Sequence, residues 1–311
     1  MRKILIGIDW GGTFIKLGIF NFKGDILGKY RLSSQEFSQP SRFFKYLKKK
    51  LQNILKKRGL SLSRVKGMGI GVPGVINTKE GFIYYLPNIK GWENFPFKVV
   101  FEKEFGLPLA LDNDANLFAL AELKQGEIKG VKNAVLFTLG TGLGSGLVLG
   151  GEVFRAKTSS FEAGHFPVDF KGRKCGCGSK GCIETFLGSS YIVKKARRIL
   201  RKKISSPKEL YCLALENNPQ ALEIWRDFGY KLGVFSAGLI NLLNLELIVL
   251  SGGIAKASRF FMKSLKEAIQ ERTMPPFLKG VKVKKSKLAD TAGILGAYEF
   301  IKERLSRDSF R

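Results

Sequence analysis

The sequence predicts an α/β fold in two domains, and three observations predict it. Short apolar runs rich in Ile, Val and Leu alternate with longer amphipathic stretches, the succession expected of strands and helices. A strand, glycine turn and strand unit at the N-terminus returns as a weak internal repeat about 130 positions later. The 311 residues amount to two domains at roughly 150 residues each.

The elements follow in order. Lys3–Asp9 and Phe14–Phe20 are apolar runs joined by Trp10-Gly11-Gly12-Thr13, a hairpin with a glycine turn, and Asp25–Arg31 adds a third strand. Ser41–Arg58 is predicted helical, with Phe44, Leu47, Leu51, Ile54 and Leu55 on one face and Gly59 as its stop. Lys66–Val72 reads as a buried strand running into Pro73-Gly74. Residues 76–108 are punctuated by Pro87, Gly91, Pro96 and Pro108 and read as loop-rich. Leu109–Leu111 is a short strand that delivers Asp112-Asn113-Asp114 to a helix over Ala115–Lys124. Ala134–Leu139 and Leu143–Leu149 repeat the strand, turn and strand unit. Helices are expected over Glu184–Leu200, Ala221–Leu243, Ser258–Glu271 and Thr291–Leu305, with a strand at Glu246–Leu250 ending in Ser251-Gly252-Gly253.

Composition narrows the function classes. Hydrophobic residues make up 44% of the chain, which suits a packed core and excludes a disordered chain. No apolar stretch approaches the roughly 20 residues of a membrane span, and the opening run breaks at Asp9 without a small-residue cleavage site. A cytoplasmic protein with no membrane partner is expected. The net charge of +27 would suit a nucleic-acid binder, but its cations fall in three separated regions, Lys45–Lys57, Lys194–Lys203 and Lys279–Lys287. Each region carries apolar residues at helical or strand spacing, so solvated faces of amphipathic elements explain them and nucleic acid is not the expected partner.

Three glycine turns follow strands: Asp9 with Gly11, Gly12 and Thr13; Gly140-Thr141-Gly142; and Gly252-Gly253. Glycine lets the backbone approach a phosphate and aim successive N–H groups into one concavity, and a Thr hydroxyl adds a donor. Asp9 would be repelled by a bare phosphate, so Mg²⁺ or its water shell is its fitting partner. Neither hairpin turn has the P-loop spacing, and both lead into strands rather than helices. Each alone is also what a tight hairpin requires; together they favour a nucleotide. The pattern resembles the phosphate and adenosine loops of the superfamily of sugar kinases, actin and heat-shock chaperones.

Cys175, Cys177 and Cys182 form C-x-C-x4-C among glycines, and the sole histidine, His165, lies ten residues upstream. Three thiolates leave a tetrahedral zinc one ligand short, and His165 completes a Cys3His set of structural type. Its second ring nitrogen would keep a fixed direction and meet a substrate hydroxyl, with Glu162 and Glu184 on the same rim. Cys212 stands apart and reads as a buried apolar residue. The run Asp112-Asn113-Asp114 would serve as a helix cap if it stood alone. Beside phosphate turns and a hydroxyl-binding rim it supplies a general base, Asp114, and an amide, Asn113, that both donates and accepts.

These pieces together resemble ROK-family (repressor, ORF, kinase) sugar kinases over essentially the full length. The matching pieces are D-W-G-G-T at 9–13, G-V-P-G at 71–74, L-P-N at 86–88, D-N-D-A-N at 112–116, G-T-G-L-G at 140–144, E-A-G-H at 162–165, C-G-C-G-S-K-G-C-I-E at 175–184 and S-G-G at 251–253. The resemblance implies a two-domain actin/hexokinase-like (ribonuclease H-like) fold with a cleft between a small domain, 1–112 plus 294–311, and a large zinc-bearing domain, 113–293. It implies ATP-dependent phosphorylation of the 6-hydroxyl of a hexose, glucose first, with Asp114 as catalytic base. Gly74, Asn88, Asn113, Asp114, Glu162, His165 and Glu184 would bind sugar. Asp9, Gly11, Gly12, Thr13, Lys16, Gly140, Thr141, Gly142, Gly252 and Gly253 would line ATP and Mg²⁺. His165, Cys175, Cys177 and Cys182 would hold structural Zn²⁺. It also implies a dimer or tetramer. The segment Ala156–Phe161 departs from the glycine-rich run of family glucokinases. Leu111–Asn116 and Cys175–Glu184 are also similar to bacterial N-acetylglucosamine kinases, which makes an N-acetylhexosamine kinase the alternative. A sugar-responsive regulator is the more distant one, since such members carry a DNA-binding module ahead of the first strand.

Overall fold

A computed structural model describes residues 3–12, 14–34, 37, 39–87, 89–158 and 161–308 of the chain. Its elements begin with β1 (Ile4–Trp10), β2 (Phe14–Asn21), β3 (Ile26–Ser33), α1 (Pro40–Lys56), β4 (Val65–Val72), β5 (Val75–Asn77), β6 (Phe82–Tyr85), α2 (Phe97–Phe105), β7 (Leu109–Asn113) and α3 (Asp114–Gln125). There follow β8 (Ala134–Leu139), β9 (Leu143–Leu149), β10 (Glu152–Val153), α4 (Glu184–Leu187), α5 (Ser189–Leu200), α6 (Pro207–Leu215) and α7 (Pro219–Leu243). The chain continues through β11 (Leu247–Ser251), α8 (Ser258–Arg272), α9 (Pro275–Leu278), β12 (Lys282–Lys285) and α10 (Ala292–Asp308). Two compact units result, one of Met1–Gln125, Val153–Phe161 and Asp290–Arg311, the other of Gly126–Glu152 and Glu162–Ala289.

The first unit is built on a sheet of order β3-β2-β1-β4-β7. The glycine turn folds β2 back antiparallel on β1, whereas β4 and β7 return parallel through longer connections. Strand β1 is buried along its whole length, as a central strand covered on both faces must be. Helix α1 buries Phe43, Phe44, Leu47, Leu51 and Leu55 and turns its lysines outward, which accounts for the basic region 45–57 as a solvated face. Trp10 stacks on Phe43 with ring centroids 4.1 Å apart, and Trp92 meets both edge-on. Helix α10 closes against β1, β4 and α3. Its approach is so close that a Cβ on Gly69 would collide with the Ala297 carbonyl, so only glycine fits there.

The second unit repeats the plan, with a sheet of order β10-β9-β8-β11-β12 in which β8 is antiparallel to β9 and parallel to β11. Helices α7 and α8 pack together and bury Trp225, Phe228 and Phe261.

Several expectations need correction. Residues 76–108, read as loop-rich with no element assigned, also hold ordered structure: β5 pairs with β6, and α2 buries Phe97, Phe101 and Phe105. The helix expected over Glu184–Leu200 is two, because Gly188 between them is extended at φ −68° and ψ 156°. Cys212 is exposed on α6 rather than buried. The first unit takes in α3 as far as Gln125, where α3 packs on α10, and its last segment starts at Asp290.

Candidate active site

In the first unit the motifs gather where parallel strands end. Asp9 of β1 pairs in register with Gly71 of β4, and Gly71 with Asp112 of β7, so three motif residues form one row across the sheet. Ligands of open α/β sheets bind outside such carboxyl ends. Asp9 is buried, and burial pushes its carboxyl above the ordinary value, opposed by the Lys16 ammonium at 3.6 Å. Gly11 closes the following turn by donating its N–H to the Phe14 carbonyl, and the Gly12 carbonyl accepts from the Ser34 hydroxyl. Thr13 and Asn88 lie outside the described residues.

The run Asp112-Asn113-Asp114 divides its labour. Asp112 is fully buried and accepts from the Asn113 N–H (2.8 Å), the Asn116 amide (2.9 Å), the Thr78 hydroxyl (3.0 Å) and Arg155 Nε (2.6 Å). Asn113 caps α3 by accepting from the Ala115 N–H and donates its amide to the Gly74 carbonyl at 3.2 Å, which joins two of the expected sugar residues. Asp114 opens the helix and is the only one of the three acids and amides with appreciable exposure. The buried pair therefore fixes the turn, and the half-buried Asp114 carboxylate follows it, accepting from the Ala115 N–H at 2.8 Å. Asn116 closes the D-N-D-A-N motif but was given no role of its own, while Thr78 and Arg155 were not singled out from the sequence; nothing in their local pattern marks them, since Arg155 reaches Asp112 from 43 positions away.

In the second unit the sulfur and imidazole ligand atoms of His165, Cys175, Cys177 and Cys182 all lie within 4.8 Å of one another. Cys177 and Cys182 Sγ are 3.7 Å apart, and Cys175 Sγ is 3.6 Å from His165 Nδ1. A tetrahedral zinc with bonds of about 2.3 Å to sulfur and about 2.0 Å to nitrogen sets edges of about 3.8 and 3.5 Å. The four residues thus fit a zinc ion, and the sulfurs are too far apart for a disulfide. Burial pushes the Cys175 thiol up to about 12 and raises that of Cys182, so an ion must displace protons to bind.

Glu184 links this cluster to the phosphate-type turn. Its Oε2 accepts from the Leu143 N–H at 3.0 Å, while Oε1 lies 3.7 Å from Cys175 Sγ. A Cβ on Gly142 would meet that carboxylate, so a side chain there would have to push Glu184 aside. Ser189 at the start of α5 donates its N–H to the Gly140 and Thr141 carbonyls, which holds the turn from the other side. Glu162 precedes the short helical turn Ala163–His165, and the Ala163 N–H is held by the Ser145 hydroxyl at 3.0 Å. Gly252, at φ +88°, follows β11 beside Leu139 at the end of β8, so the Gly252-Gly253 and Gly140–Gly142 turns leave adjacent parallel strands. No helix among the described residues is long and apolar enough to cross a membrane.

Comparisons with known proteins agree with this arrangement. The family model described as ROK family matches residues 5–304. A glucokinase of Halalkalibacterium halodurans is 32% identical over 314 residues, covering 96% of this chain and 95% of that protein. Among solved structures, a ROK family glucokinase from Streptomyces griseus in complex with glucose and AMPPNP has a TM-score of 0.81 at 25% identity, covering 95% of this chain and 98% of that one. A ROK family transcriptional regulator, homolog of the E. coli MLC protein, has a TM-score of 0.88 at 27% identity, covering 98% of this chain and 79% of that one. With its two α/β units in the actin/hexokinase-like fold, the chain belongs to the ROK family.

Proposed function

We propose that this protein is an ATP-dependent hexokinase that phosphorylates the 6-hydroxyl of a hexose, glucose first. The observation that carries the reading is the row of strand ends in the first unit: buried Asp112 and Asn113 brace a turn that presents Asp114 at the start of α3. Similarity to glucokinases over nearly the whole chain supports it.

Asp114 takes the proton of the 6-hydroxyl as the oxygen attacks the γ-phosphorus. The new O–P bond forms as the bond to the β,γ-bridging oxygen breaks, and its electron pair leaves with ADP. Asn113, Gly74 and Asn88 orient the sugar together with Glu162, His165 and Glu184. The turns at Gly11–Thr13, Gly140–Gly142 and Gly252-Gly253 hold the nucleotide, with Lys16 beside Asp9 at the first of them. Asp9 would hold Mg²⁺, which neutralises charge on the transferring group. His165, Cys175, Cys177 and Cys182 would hold zinc, whose contribution would be architectural, joining the His165 turn to the Cys loop. A dimer or tetramer acting in the cytoplasm completes the reading.

The test is ADP release measured by a coupled assay across glucose, mannose, fructose and their N-acetyl relatives. Glucose should give the highest kcat/KM, and Asp114→Ala should lower kcat by about 10²–10⁴ with sugar affinity largely kept. A preference for an N-acetylhexosamine would identify the alternative substrate. The TM-score of 0.88 to a transcriptional regulator favours a second reading, a sugar-responsive regulator. Sugar binding without ADP release from any of these sugars would establish that reading instead.

A further inference from the structure

The first unit holds a cavity of about 660 Å³ apart from the residues assigned above to sugar, ATP or metal. Its size lies within the range of small-molecule sites. Five cations line it: Lys79 from the turn between β5 and β6, Arg155 and Lys157 from the segment after β10, and Arg304 and Arg307 from α10. Two acids share the lining, Glu80 and Glu303, and Glu303 is paired with Lys124 at 2.6 Å. The cations come from three stretches distant in sequence, so they are not the solvated face of one helix. Phe300 gives the cavity an apolar wall, with the Arg155 guanidinium 4.7 Å from its ring centroid. Arg155 Nη2 is buried and lacks a hydrogen-bond partner among the described residues, so its guanidinium has unused donor capacity.

We propose that this cavity binds a small molecule bearing a phosphomonoester. A dianion with three acceptor oxygens can engage several of these cations at once, with arginine supplying paired donors, whereas a monocarboxylate would satisfy only one or two. The concave shape and the Phe300 wall suit the organic part of a metabolite better than an extended nucleic-acid backbone. Two lining residues, Thr78 and Arg155, also hold the Asp112 carboxylate, at 3.0 and 2.6 Å. A ligand that draws on either side chain therefore acts on the residue that braces Asn113 and Asp114, which makes the cavity an effector site.

Calorimetric titration of the full chain with glucose 6-phosphate and with inorganic phosphate, without ATP and at constant ionic strength, tests the proposal. The double variant Lys79→Ala/Arg307→Ala should bind both probes at least tenfold more weakly than wild type, with an unchanged circular dichroism spectrum. A control that removes two exposed cations of the α1 region, Lys49→Ala/Lys57→Ala, should stay within twofold. Equal affinity in wild type and the cavity variant, equal losses in both double variants, or no binding of either probe at millimolar concentration would overturn it. No turnover enters the measurement, so its failure leaves the kinase reading standing, and failure of the kinase reading leaves this site standing.

Discussion

Replacing Arg155 by Met should destabilise the first unit by about 3 kcal/mol. The Asp112 carboxylate is fully buried, and Arg155 supplies its only cationic donor among the four hydrogen bonds described. A charge-assisted hydrogen bond contributes roughly 1.5–3 kcal/mol, and stripping the partner from a buried ion pair costs about 3–5 kcal/mol. Three neutral donors remain, which keeps the loss at the lower end of that range. The asymmetry gives a sharper expectation: Asp112→Asn in the Arg155→Met background should cost much less than in wild type, with a coupling of about 2 kcal/mol in the double-mutant cycle. Urea unfolding followed by tryptophan fluorescence can read this, since Trp10 and Trp92 are both buried in the first unit. With a slope of roughly 3 kcal/mol per molar, Arg155→Met should lower the midpoint by about 1 M. A coupling below about 0.5 kcal/mol would refute the view that Arg155 neutralises Asp112.

Gly142→Ala should displace Glu184 and break its bond to the Leu143 N–H, at a cost of about 2 kcal/mol in thermal or urea unfolding; a neutral effect would show that the turn does not depend on Glu184. Purified protein should carry one zinc per chain by metal analysis, and chelation should lower Tm and expose Cys175 and Cys182 to thiol reagents. Chelation that leaves both thiols protected would contradict the cluster. Burial would raise the Asp227 carboxyl, but hydrogen bonds from Lys195 and Lys231, each at 2.5 Å, hold it below its ordinary 3.8. Its stabilisation is therefore complete above pH 3.8 and fades as pH falls through the lower folded value. Asp227→Asn should cost about 1 kcal/mol in urea unfolding at pH 7, and the gap to wild type should narrow at pH 3.

What was legible in the sequence was carried by local pattern. The hairpin around Gly11-Gly12 and its echo at Gly140–Gly142 needed only alternating apolar runs and glycine between them. The Cys3His set could be read from spacing because a small ion demands its ligands close together. Helix α2 and the β5–β6 pair were hidden because prolines and glycines punctuate 76–108, while the order there comes from Phe97, Phe101 and Trp92 packing against residues far away in the chain. Helix α6 did carry a signal: Ser206, Pro207 and Glu209 form a capping box, with the Glu209 N–H donated to the Ser206 hydroxyl. Arg155 left no trace because its partner, Asp112, is distant in sequence, and only the folded chain shows that the two are neighbours.

The placement of α10 bears on how the chain is made. The face of the first sheet opposite α1 stays open until this helix arrives, because β1, β4 and α3 pack on it and Gly69 lies bare beneath it. During synthesis the ribosome must produce the entire second unit first, so the nascent early strands present an apolar surface to the cell through most of translation. That interval is where chaperones have reason to engage this protein, and where substitutions at the α10 contact would reduce the yield of folded chain.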